Sequence, residues 1–182
     1  MMEKDRSSRK TAALVLLAAM AMTLSFVEIP LIQSAPWLQY DPSGAVSALV
    51  SLLFGPWVGV AVAVCSWIPH LVADPLGAFM NIMSASSLAL TVSAARGKSD
   101  APLRLAAACL AAVAASAAIS ICLNFVVTPV YLGVSYDYVA ATVMPSLLPF
   151  NIVKSSVNVT LAAVASVKIK DLLDKRSRRE RD

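Results

Sequence analysis

Long apolar stretches with short polar breaks between them constrain this chain more than any other feature. From Leu105 to Val127 there is no charged side chain, and from Pro149 to Val167 there is one, Lys154. A bilayer core takes about 20 helical residues to cross. Inside it the backbone finds no water to bond, so a spanning segment must be a helix or part of a closed barrel. The composition agrees: 58% of the 182 residues are hydrophobic and 14% charged, against about 45–50% and 25% in a soluble domain. The reading is an all-α membrane protein, one compact unit with six transmembrane helices.

The basic residues give the orientation. Four precede the first apolar run (Lys4, Arg6, Arg9, Lys10) and three share one internal loop (Arg96, Lys98, Arg104). Seven make the tail (Lys168, Lys170, Lys175, Arg176, Arg178, Arg179, Arg181), so the three clusters hold 14 of the 15. Clusters of this kind mark cytoplasmic ends, and the same bias accounts for the basic tail without a nucleic-acid partner. Residues 1–10 are then a basic cytoplasmic N-terminus, 11–167 the six-helix domain and 168–182 a basic cytoplasmic tail. The expected location is a prokaryotic plasma membrane, with both termini inside. The first apolar run is longer than a signal-peptide core and is read as a retained span.

The spans are expected at about Thr11–Ile29, Gly44–Phe54, Trp57–Ile68, Gly77–Ala95, Leu105–Val127 and Pro145–Val167, with Gly55-Pro56 turning the second into the third. The outer loops are then Pro30–Ser43, Pro69–Pro75 and Tyr131–Met144. They hold Asp41, Asp74 and Asp137 and no Lys or Arg. Cys65, Cys109 and Cys122 lie in apolar runs with no C-x-x-C, so neither a disulfide frame nor a metal site is suggested.

Asn151, Lys154, Ser155 and Asn158 recur at i, i+3, i+4 and i+7, which puts them on one helix face. A lysine inside a membrane helix is costly and is a functional candidate by default. The plainer reading is a lysine that snorkels from a helix end. Asn81 near the start of span four and Asn124 near the end of span five fall at the same outer level. Lys154 is placed about five residues into its helix, roughly 7 Å down. Trp37, Tyr40, Tyr136 and Tyr138 are expected to roof this site, or to form an interfacial aromatic belt. Interhelical hydrogen bonding is the plainer role for Asn81 and Asn124. Catalysis is poorly supported. His70 is the lone histidine, and three residues, not four, separate it from Asp74. Gly97-Lys98-Ser99 follows an apolar helix, with Val92 where a phosphate loop needs glycine.

Several segments together resemble a known family. They are Trp37-Leu38-Gln39-Tyr40-Asp41-Pro42-Ser43, Phe54-Gly55-Pro56-Trp57-Val58-Gly59, Leu123-Asn124-Phe125 with Pro129-Val130-Tyr131, and Leu148-Pro149-Phe150-Asn151-Ile152-Val153-Lys154. They are similar to motifs of the S components of energy-coupling factor (ECF) transporters, the small subunits that capture vitamins, and most of all to its riboflavin-specific members. The resemblance implies that Asn151, Lys154 and Asn124 contact a flavin, with Leu38, Tyr40 and Asp41 in a first loop that closes over it. To these the residue reading adds Asn81. The resemblance also implies a membrane coupling subunit (T component) and two cytoplasmic ATPases as partners. The small residues of span one, Ala13, Ala18 and Ala21, would face the T component. No catalytic residue and no cofactor beyond the transported riboflavin are implied. The alternatives are an S component for another vitamin or precursor, and a small integral-membrane enzyme using Lys154 or His70.

Overall fold

The computed structural model describes residues 2–33 and 38–179. Six helices of twelve residues or more carry the described fold: α1 Met2–Ser25, α2 Ser43–Phe54, α3 Pro56–Trp67, α4 Pro75–Arg96, α5 Pro102–Leu132 and α6 Met144–Arg179. Two-residue strands, β1 Ile29–Pro30 and β2 Gln39–Tyr40, pair antiparallel and close the first loop.

α2 is the helix the others surround. Ser43 through Ser51 are all buried, with Ala48 and Leu49 packed in one cluster with Leu88, Val92, Ala108, Ala112, Val159 and Ala162. Helices buried on every side read as continuously apolar, and the serines of α2 are satisfied within the bundle. Ser47 Oγ donates to the Ser43 carbonyl at 3.2 Å, and Ser51 Oγ donates to the Ala89 carbonyl. The expected turn at Gly55-Pro56 is present. Gly55 has φ +110°, a region that side-chain-bearing residues rarely enter, and Pro56 opens α3 where its missing N–H costs nothing.

Among the described residues, three helices are long and apolar enough to cross a membrane by length and composition: α4, α5 and α6. α2 and α3 have twelve residues each, about 18 Å at 1.5 Å per residue, and α3 continues only as a 3₁₀ turn over Ile68–Leu71.

Several expected boundaries are corrected. α1 ends at Ser25, and Ile29 is in β1 rather than in a helix. The N-terminal basic segment belongs to α1 from Met2, and the basic tail continues α6 to Arg179. Both charge runs are rich in residues that favour helices once one is nucleated. α5 runs through Pro129 to Leu132, where Gly133 caps it at φ +64°. The segment expected as the third outer loop is largely helical. Ser135 Oγ accepts from the Tyr138 N–H at 3.2 Å to open a short turn, followed by a π-turn over Val139–Val143 that leads into α6.

In the basic loop, Arg96 and Lys170 bind Asp100 at 2.8 and 2.9 Å. The hydrogen bond from Lys170, foremost, holds the Asp100 carboxyl below its ordinary range. Ala21 is fully buried against Val46, Val50 and Val62. It closes α1 onto α2 and α3, and so is unavailable to a second membrane subunit. Ala13 and Ala18 are half-buried.

Candidate ligand-binding site

A cavity of about 470 Å³ opens between α4, α5 and α6 beneath the first loop. α5 packs against both α4 and α6, which barely touch each other, and the cavity lies where these three helices meet the first loop. Asp74 positions α4: its Oδ1 accepts from the Gly77 N–H at 2.9 Å, an N-cap that fixes where Asn81 falls one turn on.

Six of the seven residues expected at the site line this cavity: Leu38, Asp41, Asn81, Asn124, Asn151 and Lys154. Tyr40, the seventh, does not. Its Oη turns away and donates to Asn158 Oδ1 at 3.0 Å. Burial, and secondarily Asp41, push the Tyr40 phenol above its ordinary value, so it stays a donor. Of the expected aromatic roof, Tyr138 lines the cavity and Tyr136 does not. Trp37 lies outside the described residues. Leu38 is buried against Val139, Leu147 and Phe150, an apolar contact that seats the first loop on the N-terminal end of α6.

At the centre is an ion pair. Lys154 Nζ lies 2.7 Å from Asp41 Oδ2, with the side chains 12% and 4% exposed. The ammonium also donates to Asn81 Oδ1 at 2.8 Å and to the Gln39 carbonyl at 3.5 Å. The other carboxylate oxygen of Asp41 accepts from the Ser43 N–H at 3.2 Å and from Ser43 Oγ, the local turn that Asx residues favour. Trp67 Nε1 donates to that same Ser43 Oγ at 3.3 Å. Lys154 is ten residues into α6, about 15 Å along the helix rather than 7 Å; α6 begins at Met144, close to the expected Pro145, and the shorter depth holds only if counted from Pro149.

The three asparagines share one posture. Asn81, Asn124 and Asn151 each donate Nδ2 to the carbonyl four residues back, at 3.0, 2.8 and 2.9 Å. A carbonyl can pair only with the NH₂ end, so this fixes the orientation of each amide. The Oδ1 of each and one remaining N–H are left for other partners. Asn81 Oδ1 takes Lys154 and Asn124 Oδ1 takes Thr128 Oγ1 at 3.2 Å. No described residue donates to Asn151 Oδ1, which leaves this amide both an acceptor and a donor.

Several lining residues were not expected from the sequence: Glu28 and Asp74, Trp67, Met80, and the serines Ser84 and Ser120. Trp67 reads as one more apolar residue of span three, and serines are common in membrane helices. His70 is elsewhere. It rests at ring distances of 4.5 Å from both Phe26 and Trp67, with Nε2 2.9 Å from Ser25 Oγ.

Comparison with known proteins bears on this arrangement. A family model described as the substrate-specific component of ECF transporters matches residues 9–166. A riboflavin transporter, RibU, of Staphylococcus aureus (strain TCH60) is 26% identical over 162 residues, covering 84% of this chain and 85% of the relative. A solved S component of a bacterial ECF transporter superposes with a TM-score of 0.79 at 24% identity, over 92% of this chain and 98% of the other.

Proposed function

The chain belongs to the substrate-specific components of ECF transporters, and from that premise we propose that it captures riboflavin at the outer face of a prokaryotic plasma membrane. It then yields the vitamin to a T component and two cytoplasmic ATPases that drive uptake. The chain would cross the membrane six times with both termini inside, α2 and α3 serving as short crossings shielded by the longer helices.

The observation that carries the ligand reading is the convergence of Asn151 and Lys154 on one wall of a cavity of suitable size; small-ligand pockets occupy about 300–1,000 Å³. An isoalloxazine ring is flat and apolar across its faces, with carbonyls and ring nitrogens along one edge. Asn151 offers that edge a donor and an acceptor, and Lys154 offers donors only. Leu38, Phe150 and Leu147 supply apolar surface for the faces. The likeness to RibU supports the choice of vitamin.

The test is titration of purified, ligand-stripped protein with riboflavin, following quenching of flavin fluorescence. Binding below micromolar concentration is expected. Its absence there overturns the riboflavin assignment and sends the search to other vitamins.

A further inference from the structure

We propose that Ser84 and Ser120 form a hydrogen-bond-accepting wall that takes the hydroxyl-bearing chain of the ligand, so that the site selects a polyol-substituted ring over the same ring without its polyol. This inference rests on the riboflavin reading and adds residues and a selectivity to it.

The wall follows from counting protons. A hydroxyl has one proton to donate and two lone pairs to accept with. Ser155 Oγ donates to Ser116 Oγ at 3.1 Å. Ser116 Oγ donates to the Ser84 carbonyl at 3.1 Å. With its proton spent, Ser116 must accept from Ser84 Oγ, 2.9 Å away. Ser84 Oγ in turn accepts from Ser120 Oγ at 3.0 Å. Each proton of the ladder is therefore used inside the protein. Among the described residues nothing donates to Ser120 Oγ, which keeps both its lone pairs, and Ser84 Oγ keeps one. Ser120 and Ser84 both line the cavity, while Ser116 and Ser155 lie behind it, along a small polar void beneath the Asp41–Lys154 pair.

Lone pairs left open on a cavity wall are places where a ligand that brings donors can bind. The donors of a flavin say which part of it that is. The C2 and C4 carbonyls and N3–H lie at one short end of the tricycle, and the N10 substituent leaves from a long edge. If α6 holds that end through Asn151 and Lys154, with N3–H taken by Asn151 Oδ1, the ring's one donor is used, and the hydroxyls of the N10 chain are the donors left for Ser84 on α4 and Ser120 on α5. A ribityl chain supplies a row of O–H donors there, and a methyl group supplies none.

The experiment compares riboflavin with lumiflavin, which carries methyl at N10, by fluorescence titration of the full chain in detergent. Wild type should bind riboflavin more tightly than lumiflavin. Ser120→Ala should lose roughly five- to tenfold in riboflavin affinity, as for one hydrogen bond, with lumiflavin affinity unchanged within about twofold. Ser120→Cys nearly keeps the volume but accepts weakly, and should show the same selective loss even if the alanine variant proves unstable. Equal affinity of wild type for both flavins, or equal loss of both on substitution, overturns the wall while leaving the riboflavin reading standing. Failure of wild type to bind either flavin overturns both.

Discussion

Lys154 has three protons to donate, and the protein occupies all three directions, with Asp41 and Asn81 close and the Gln39 carbonyl at the edge of bonding distance. The weakest of these is the one a ligand carbonyl would replace, which under the proposed function would link the first loop to ligand capture. Lys154→Met is expected to weaken riboflavin binding by roughly one to two powers of ten, losing about 1.4 kcal/mol per tenfold step. It also leaves Asp41 buried without its partner, an arrangement that costs about 3–5 kcal/mol. Adding Asp41→Asn to Lys154→Met should recover much of that stability but not the binding. Thermal unfolding in detergent beside the riboflavin titration separates the two effects; joint recovery would mean that Lys154 serves only to hold the loop. Lys154→Arg should rescue binding incompletely, because the guanidinium is larger and planar.

The elements differ in how much of them the sequence displayed. Asparagine and lysine stand out in an apolar run because they are costly there, so the polar level formed by α4, α5 and α6 was legible. The serine ladder was not, since serine is an ordinary residue of packed membrane helices. The Asp41–Lys154 pair was missed because the two residues meet only through tertiary packing. The helical turns before Met144 lie between apolar spans and carry no span-length apolar run of their own, although Ser135 supplies an N-cap. The end of α2 near the site shows how tightly the elements are fitted. A Cβ on Gly44 would lie 2.6 Å from Asn158 Nδ2, and Asn158 in turn holds Tyr40 and the Asp41 carbonyl. Gly44→Ala is therefore expected to push α6 or Asn158 aside and lower riboflavin affinity several-fold, while Gly44→Ala with Asn158→Ala regains part of the loss. A titration showing Gly44→Ala equal to wild type would mean that Asn158 relocates freely.

For the whole molecule, the partition of basic residues predicts which surfaces face outward. With Cys65, Cys109 and Cys122 replaced, Ser135→Cys should react with an impermeant thiol reagent on intact cells and Ser99→Cys should not. Reaction at Ser99→Cys would exclude the six-crossing arrangement. Coupling should also be separable from capture. Ala21 is in the core, so Ala21→Trp is expected to damage folding and binding together. Ala19, on the exposed side of α1, can take a bulky residue without disturbing the bundle. If this side of α1 meets the T component, Ala19→Trp should lower uptake by cells while purified protein binds riboflavin normally. Normal uptake with that variant would move the coupling surface off this face.

The ion pair at the centre of the cavity has an electrical consequence. Lys154 carries its counter-charge with it, so the pair adds no net charge to the interior of the bundle, and riboflavin itself is uncharged. A lone lysine there would feel the membrane potential, at about 2.3 kcal/mol per elementary charge per 100 mV for a full crossing. With Asp41 paired to it at 2.7 Å, filling the site with an uncharged ligand would move no net charge through that field. A cell whose membrane voltage has collapsed should therefore fill these sites as completely as a fully energised one.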